Sequence, residues 1–192
     1  ILMKWYGSGP EDLNIKLKEG GSPVTIADVE ADAYLRKRLS EEFPQDQILS
    51  EEHEFRPADY QGRVWMVDPL DGTSSFTRDK EGFSVILGLA VDGVPELGVV
   101  YHPARQELFY AKKGQGAFRV QRGGTEQMYV SRRDLSHTRV ITKTPFPAPN
   151  PADKHIEEFT RKFHTDQTIN EWGAGVKICK VAQGVAEFYL NS

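Results

Sequence analysis

At 192 residues the chain can bury a substantial core. Its formal net charge of -4, from 24 Lys plus Arg against 28 Asp plus Glu, excludes the polyelectrolyte surface that nucleic-acid polymers require. A single cysteine, Cys179, excludes an internal disulfide framework, and the longest apolar run, Phe83 to Val91, is far too short to cross a bilayer; with no secretory leader visible, the expectation is a cytoplasmic protein without a membrane partner.

Ile1-Leu2-Met3-Lys4 looks like the middle of a helix. Thr25-x-x-Asp28 then reads as a capping box at the start of an amphipathic helix carrying Val29, Ala31, Leu35, Leu39 and Phe43, which Pro44 ends. Ile48-Leu49 is a strand ending in Ser50-Glu51-Glu52. Val64 to Val67 is a short buried strand; Pro69 is expected to forbid its continuation in a ladder, and Gly72-Thr73-Ser74 can open a helix. Phe83 to Ala90, Leu97 to Tyr101, Glu107 to Lys112 and Ala117 to Gln121 follow as an antiparallel meander, punctuated by Asp92-Gly93, His102-Pro103 and Gly114-Gln115-Gly116. Val140 to Thr142 begins another strand, Pro145 to Pro151 is a proline-rich connection, and Ile156, Phe159 and Phe163 give helical spacing after Asp153. A Gly-rich turn from Gly173 opens a last helix that Gly184 closes, and Ala186 to Leu190 is the next strand. Residues 1–135 are expected to form one lobe and 136–192 part of a second, with no internal repeat.

The chemistry concentrates at strand ends. Asp68 and Asp71 run straight into a Gly-Thr turn, and Glu51 ends the preceding strand. If the three carboxylates converge to about 5 Å, each pair repels by about 3 kcal/mol at an effective dielectric near 20, or about 10 kcal/mol for the trio. That rivals the stability of a whole domain. Such a cluster must protonate, pair with bases or bind cations, and Val67 to Phe76 contains no Lys or Arg. A metal is the economical answer. Without His or Cys in these segments zinc is disfavoured, while hard oxygen ligands beside a phosphate suit Mg2+ best, with Mn2+ or Ca2+ possible. A helix opening at Gly72 would offer amides and a partial positive charge to phosphate oxygens. Each element also has a plainer reading: Asp28 as a cap, Glu51-Glu52 as a solvated loop, Asp71-Gly72 as a turn, Lys177 as a solvated lysine on a helix flank, Cys179 as core. The five histidines show no metal-ligand spacing.

Three segments together resemble the inositol monophosphatase family, which includes the 3'(2'),5'-bisphosphate nucleotidases. Asp68-Pro69-Leu70-Asp71-Gly72-Thr73 is similar to its metal motif, Ser50-Glu51-Glu52 to its Gly-Glu-Glu element with Ser for Gly, and Ser22-Pro23-Val24-Thr25-Ile26-Ala27-Asp28 to its upstream Asp segment; Gly114-Gln115-Gly116-Ala117-Phe118 follows in the usual place. The resemblance implies a layered α/β fold, an α-β-α-β-α sandwich. It implies a phosphomonoesterase with two or three Mg2+ ions held by Glu51, Asp68, the Leu70 carbonyl and Asp71, and with Asp28, Glu51 and Thr73 as its catalytic residues, Asp28 lying beside Thr73 to orient the attacking water. Gly72, Thr73, Ser74 and Lys177 would bind substrate. One Mg2+ would lower the pKa of the attacking water and another would stabilise the departing alkoxide, with no covalent enzyme intermediate. Lithium sensitivity is a family expectation. Lys177 resembles the bisphosphate nucleotidases, so the expected reaction is adenosine 3',5'-bisphosphate to AMP and phosphate; Ser74-Ser75 departs from the Lys-Glu of that branch and keeps inositol phosphate as the alternative substrate. The family's further ligand, in a Trp-Asp pair, is not matched: Trp172 is followed by Gly173 and the sequence stops at Asn191-Ser192, so the chain is expected to be shortened at both ends. A non-catalytic metal- or phosphate-binding protein is the alternative of another class, and a homodimer is possible.

Overall fold

The computed structural model of the protein describes residues 1–18, 20–53, 59–78, 81–142, 154–171 and 173–190. Two single-turn helices, α1 (Leu2–Trp5) and α2 (Pro10–Leu13), precede a two-residue antiparallel ribbon of β1 (Lys16–Leu17) and β2 (Pro23–Val24). The ribbon delivers the chain into α3 (Ile26–Glu42), whose start is the predicted capping box: Ala27 N donates to Thr25 Oγ1 at 3.1 Å and Thr25 N donates to Asp28 Oδ2 at 2.8 Å. Phe43 caps the other end, just before Pro44. Of the predicted apolar stripe on α3, Ala31 and Leu39 are buried, Leu35 packs against the core and Phe43 lies against Trp65, but the buried face is not wholly apolar. Val29 is exposed, whereas Asp28 and Asp32 are buried because hydroxyls and a guanidinium meet them there.

A seven-stranded sheet follows in sequence order: β3 (Gln47–Ser50), β4 (Arg63–Asp71), β5 (Ser84–Val91), β6 (Val94–His102), β7 (Glu107–Lys112), β8 (Gly116–Gln121) and β9 (Gly124–Met128). β3 is parallel to β4 and every later pair is antiparallel, so the predicted meander holds and gains β9. The expectation that Pro69 ends its strand is corrected. β4 runs on to Asp71 because one extra residue is inserted between the Asp68–Ile86 and Asp71–Ser84 pairs, and the proline, which has no N–H to donate, falls in that bulge. The bulge has a functional consequence. Residues three apart on a regular strand face opposite sides, and the inserted residue brings Asp68 and Asp71 to the same side.

The second sheet is parallel, in the order β11–β10–β12, from β10 (Thr138–Thr142), β11 (Thr165–Asn170) and β12 (Phe188–Leu190). The expected strand at Val140 and the strand before Leu190 are both present; β11 is an additional one. Helix α5 (Lys154–Lys162) crosses from β10 to β11 and α6 (Ala174–Ala182) crosses back to β12 on the other side of β10. Right-handed crossovers in opposite directions put the two helices on opposite faces of that sheet. α6 also packs against β5 and β6, and α3 packs against β3 and β4. The layers thus run α3, large sheet, α6, small sheet, α5, the expected α-β-α-β-α order. Pro145 to Pro151 and Asp153 lie outside the described residues.

One core cluster sits directly beneath the strand ends that carry the acids. Leu2, Leu13, Ala27, Ala31, Leu70, Phe76 and Phe83 are buried together, with Phe76 and Phe83 edge to face at 4.9 Å. Burying each large side chain contributes about 1.5–3 kcal/mol. Leu70 and Phe76 flank the Asp71-Gly72-Thr73 corner, so the corner is anchored on both sides by core packing.

Candidate metal and phosphate site

Glu51, Asp68, Leu70, Asp71, Gly72, Thr73, Ser74 and Lys177 line one cavity of about 390 Å3, together with Gly173, Ala174 and Tyr189. Of the predicted site residues Asp28 alone is not in the lining; it stands directly behind Thr73, whose hydroxyl oxygen is 3.1 Å from Asp28 Oδ1 and 3.0 Å from the Leu70 carbonyl. Asp28 also accepts from the Thr25 hydroxyl at 2.6 Å, so it caps α3 and faces the site at once. Burial pushes its carboxyl above the usual carboxylate range, against the lowering pull of the hydrogen bonds from Thr25 and Thr73.

The Gly72 corner is built from backbone that tolerates no side chain. Gly72 has φ of 85° and follows the bulge; a Cβ there would stand 2.5 Å from the Gly82 carbonyl, and one on Gly173 would stand 2.6 Å from the same oxygen. Those close approaches bring the start of α6 against the corner. Asp71 seals the junction: Oδ2 accepts from Gly175 N at 2.9 Å and from the Ser84 hydroxyl at 2.9 Å, and Ala174 N reaches Oδ1 at 3.3 Å. A carboxylate on the first amides of a helix is favourable twice, through the bonds and through the helix dipole. The helix after Gly72 is α4 (Thr73–Phe76), a single turn, and the amides of Ser75 and Phe76 are already spent on the Gly72 carbonyl. What a single turn can offer an anion is therefore local amide donors rather than a macrodipole.

The predicted like-charge strain is present. Burial, then the charges of Glu51 and Asp71, pushes the Asp68 carboxyl up to about 7. The segment Val67 to Phe76 holds no Lys or Arg, but the tertiary fold supplies a base from another part of the chain. Lys18, at the end of β1, places Nζ 2.8 Å from Glu51 Oε1 and 2.7 Å from Glu52 Oε1. Burial tends to lower the lysine's pKa, but the hydrogen bonds to both glutamates outweigh that and raise it. Among the described residues no group of three or more His, Cys, Asp or Glu side chains is already arranged to hold a metal ion. The reason is visible in the partners, since Asp71 is bound to α6 and Glu51 to Lys18. By chemistry the donors fit a hard divalent cation: they are carboxylate and carbonyl oxygens only, their mutual repulsion is unrelieved at Asp68, and a cation could take the place that Lys18 holds on Glu51.

Lys177 is not the solvated lysine of the plainer reading. It is buried, and its ammonium lies 4.4 Å from the centre of the Tyr189 ring. Cys179 is core, as expected, with burial pushing its thiol up to about 12. Trp172, Asn191 and Ser192 lie outside the described residues. Sequence reasoning missed Lys18, Ser84 and Tyr189, none of which stands near a motif in the chain; the charge imbalance of the acidic cluster is the one signal that a distant lysine was required.

The model of the inositol monophosphatase family matches residues 1–192. The chain belongs to that family. Histidinol-phosphatase of Chlorobaculum parvum is 33% identical over 95% of this chain and 68% of its own, and the 3'(2'),5'-bisphosphate nucleotidase CysQ of Salmonella typhimurium is 32% identical over 98% of this chain and 73% of its own. Among solved structures, the extragenic suppressor protein suhB from Bartonella henselae superposes with a TM-score of 0.82 at 30% identity, covering 100% of this chain and 72% of that one. Members of the inositol monophosphatase family are metal-dependent phosphatases of small phosphate esters, and this chain is a phosphoric monoester hydrolase. The two enzymes differ in the substrates their names carry yet match almost equally well, so identity alone does not select a substrate. Among the described residues no helix is long and apolar enough to cross a membrane.

Proposed function

We propose that the chain is a Mg2+-dependent phosphomonoesterase that removes the 3'-phosphate of adenosine 3',5'-bisphosphate. The observation that carries this reading is one cavity holding three carboxylates, a Gly-Thr turn and the buried cation of Lys177. Glu51, Asp68, the Leu70 carbonyl and Asp71 would hold two or three Mg2+ ions. Bound there, the cations would supply water activation and neutralise charge building on the leaving oxygen. The amides of Gly72 and Thr73 and the Ser74 hydroxyl hold the oxygens of the phosphate being removed. Thr73 Oγ1 donates to Asp28 Oδ1, which leaves a lone pair on the same oxygen to accept a hydrogen from the attacking water and so aim it at phosphorus. As the P–O ester bond breaks, that water's proton passes to Thr73 Oγ1 and the threonine proton to Asp28, whose buried carboxylate is a better acceptor than an exposed one.

Lys177 separates this substrate from a monophosphate. A second phosphate needs a fixed positive charge, and an ammonium held against the Tyr189 ring supplies one. Inositol monophosphate is the second reading, favoured by the neutral hydroxyls of Ser74 and Ser75 beside the phosphate turn. Parallel phosphate-release assays with Mg2+ on the two substrates separate them: kcat/KM is expected to be at least about tenfold higher for the nucleotide, and Lys177→Met should erase most of that margin, as loss of one charge-assisted contact would. A preference for the inositol ester, or an equal loss on both substrates in the variant, contradicts the nucleotide assignment.

A further inference from the structure

Helix α3 carries a second buried carboxylate one turn after Asp28. Asp32 is 4% exposed; its Oδ2 accepts from Arg36 Nε at 2.7 Å, and its Oδ1 accepts a short hydrogen bond from the hydroxyl of Ser50, itself 1% exposed. The Ser50 oxygen in turn accepts from Glu52 N at 3.3 Å, while Glu51 N donates to the Val67 carbonyl at 3.0 Å. The turn that presents Glu51 is thus held on one side by β4 and on the other by α3. An apolar pair at positions 32 and 50 would fill the same space with no desolvation of a carboxylate, so stability alone does not account for this one. What a directional bond adds is a fixed rotation of the turn.

Asp28 and Asp32 are four residues apart, on one face of the helix and about 6 Å apart along its axis. Each accepts from the hydroxyl of a different site segment, Asp28 from Thr73 and Asp32 from Ser50. We propose that Asp32 is a positioning residue, which through Ser50 Oγ fixes the turn carrying Glu51, so that α3 sets the spacing between the acid turn and the phosphate corner. Arg36 supplies the counter-charge that keeps the Asp32 carboxylate in place.

This inference rests on the reading of Glu51, Asp68 and Asp71 as cation ligands, and its test separates the two. Mn2+ binding is titrated by electron paramagnetic resonance on the wild-type chain and on Ser50→Ala, Asp32→Ala, Asp32→Asn and the Ser50→Ala/Asp32→Ala double variant. If the pair acts as one unit behind Glu51, each alanine variant binds Mn2+ about tenfold more weakly and the double variant no more weakly than either. Asp32→Asn, whose amide oxygen still accepts from Ser50, stays within about twofold of wild type. Wild-type affinity in both alanine variants, multiplying losses in the double variant, or an Asp32→Asn as weak as Asp32→Ala each overturns the positioning role while leaving the cation reading intact. Failure of the wild-type chain to bind Mn2+ overturns both.

Discussion

The two acidic segments of the site are held in opposite ways. The Asp68 to Thr73 corner is wedged between core side chains, with Leu70 and Phe76 buried, Gly72 pressed on the Gly82 carbonyl and Asp71 bonded to the first amides of α6. The Glu51 turn has a side chain 51% exposed that pairs with a lysine ammonium from another loop. Packing makes the first rigid without a ligand, as the proposed seat for phosphate requires. On the proposed reading, exchangeable charge makes the Glu51 side chain the place where an incoming cation would change partners. Preorganisation is then divided: the corner proposed to match a tetrahedral anion is rigid, and the acid turn, its backbone held through Ser50 and Val67, presents a Glu51 side chain held by a bond that an ion can replace.

This contrast meets its severest test at Asp71. Asp71→Asn retains the shape of the corner but removes the charge, and Mg2+-dependent phosphate release should fall by at least about a thousandfold, as expected when a ligand to a catalytic ion is lost. Near-normal turnover in that variant would remove Asp71 from the ligand set. Next in size is Gly72→Ala, which forces a Cβ to 2.5 Å from a backbone oxygen at positive φ. Strain and overlap together should cost about 2–4 kcal/mol, read as a lower urea midpoint at unchanged slope. Ser50→Ala should cost about 1–3 kcal/mol in the same measurement, because it leaves the buried Asp32 Oδ1 without its hydroxyl donor. The smallest effect is expected for Lys18→Met. Partly exposed ion pairs contribute about 0.2–1 kcal/mol, so its removal should tighten Mg2+ binding by about 1.4- to fivefold in calorimetry. Weaker binding would mean that Lys18 helps assemble the site rather than competing for it.

What was legible in the sequence was local. The capping box at Thr25 and Asp28, the strand end at Ser50 and the Gly-Thr turn each follow from residues within a few positions of one another, and all of them formed. Across long separations the family resemblance supplied the Asp28–Thr73 pair, 45 residues apart, which formed, but the contacts outside its motifs were not legible. Lys18 reaches Glu51 across 33 residues and Asp71 reaches α6 across 103, and no periodicity encodes either. Pro69 misled because its missing donor argues against a ladder but not against a bulge within one. β11 escaped notice because Thr165-Asp166-Gln167-Thr168 has no apolar alternation; its backbone pairing with β10 supplies what the side chains do not advertise. The resemblance alone singles out Lys177 as a substrate contact, with a solvated lysine as the plainer reading, and only the fold places Tyr189 against it.

The Asp68 carboxyl reports most directly on whether these acids gather around a cation. In the metal-free chain its pKa is raised from 3.8 to about 7, so stability from this group is fully present below about 4 and is lost as pH rises through 7, where the buried charge forms beside Glu51 and Asp71. A bound divalent ion favours the ionised form and must reverse the shift. Carbon-detected NMR titration of Asp68 with and without saturating Mg2+ should give a midpoint near 7 that drops well below the physiological range when Mg2+ is added, with about half a proton released per chain at pH 7 and nearly one at about pH 6. A midpoint that Mg2+ leaves in place would contradict a cation gathered by these three acids.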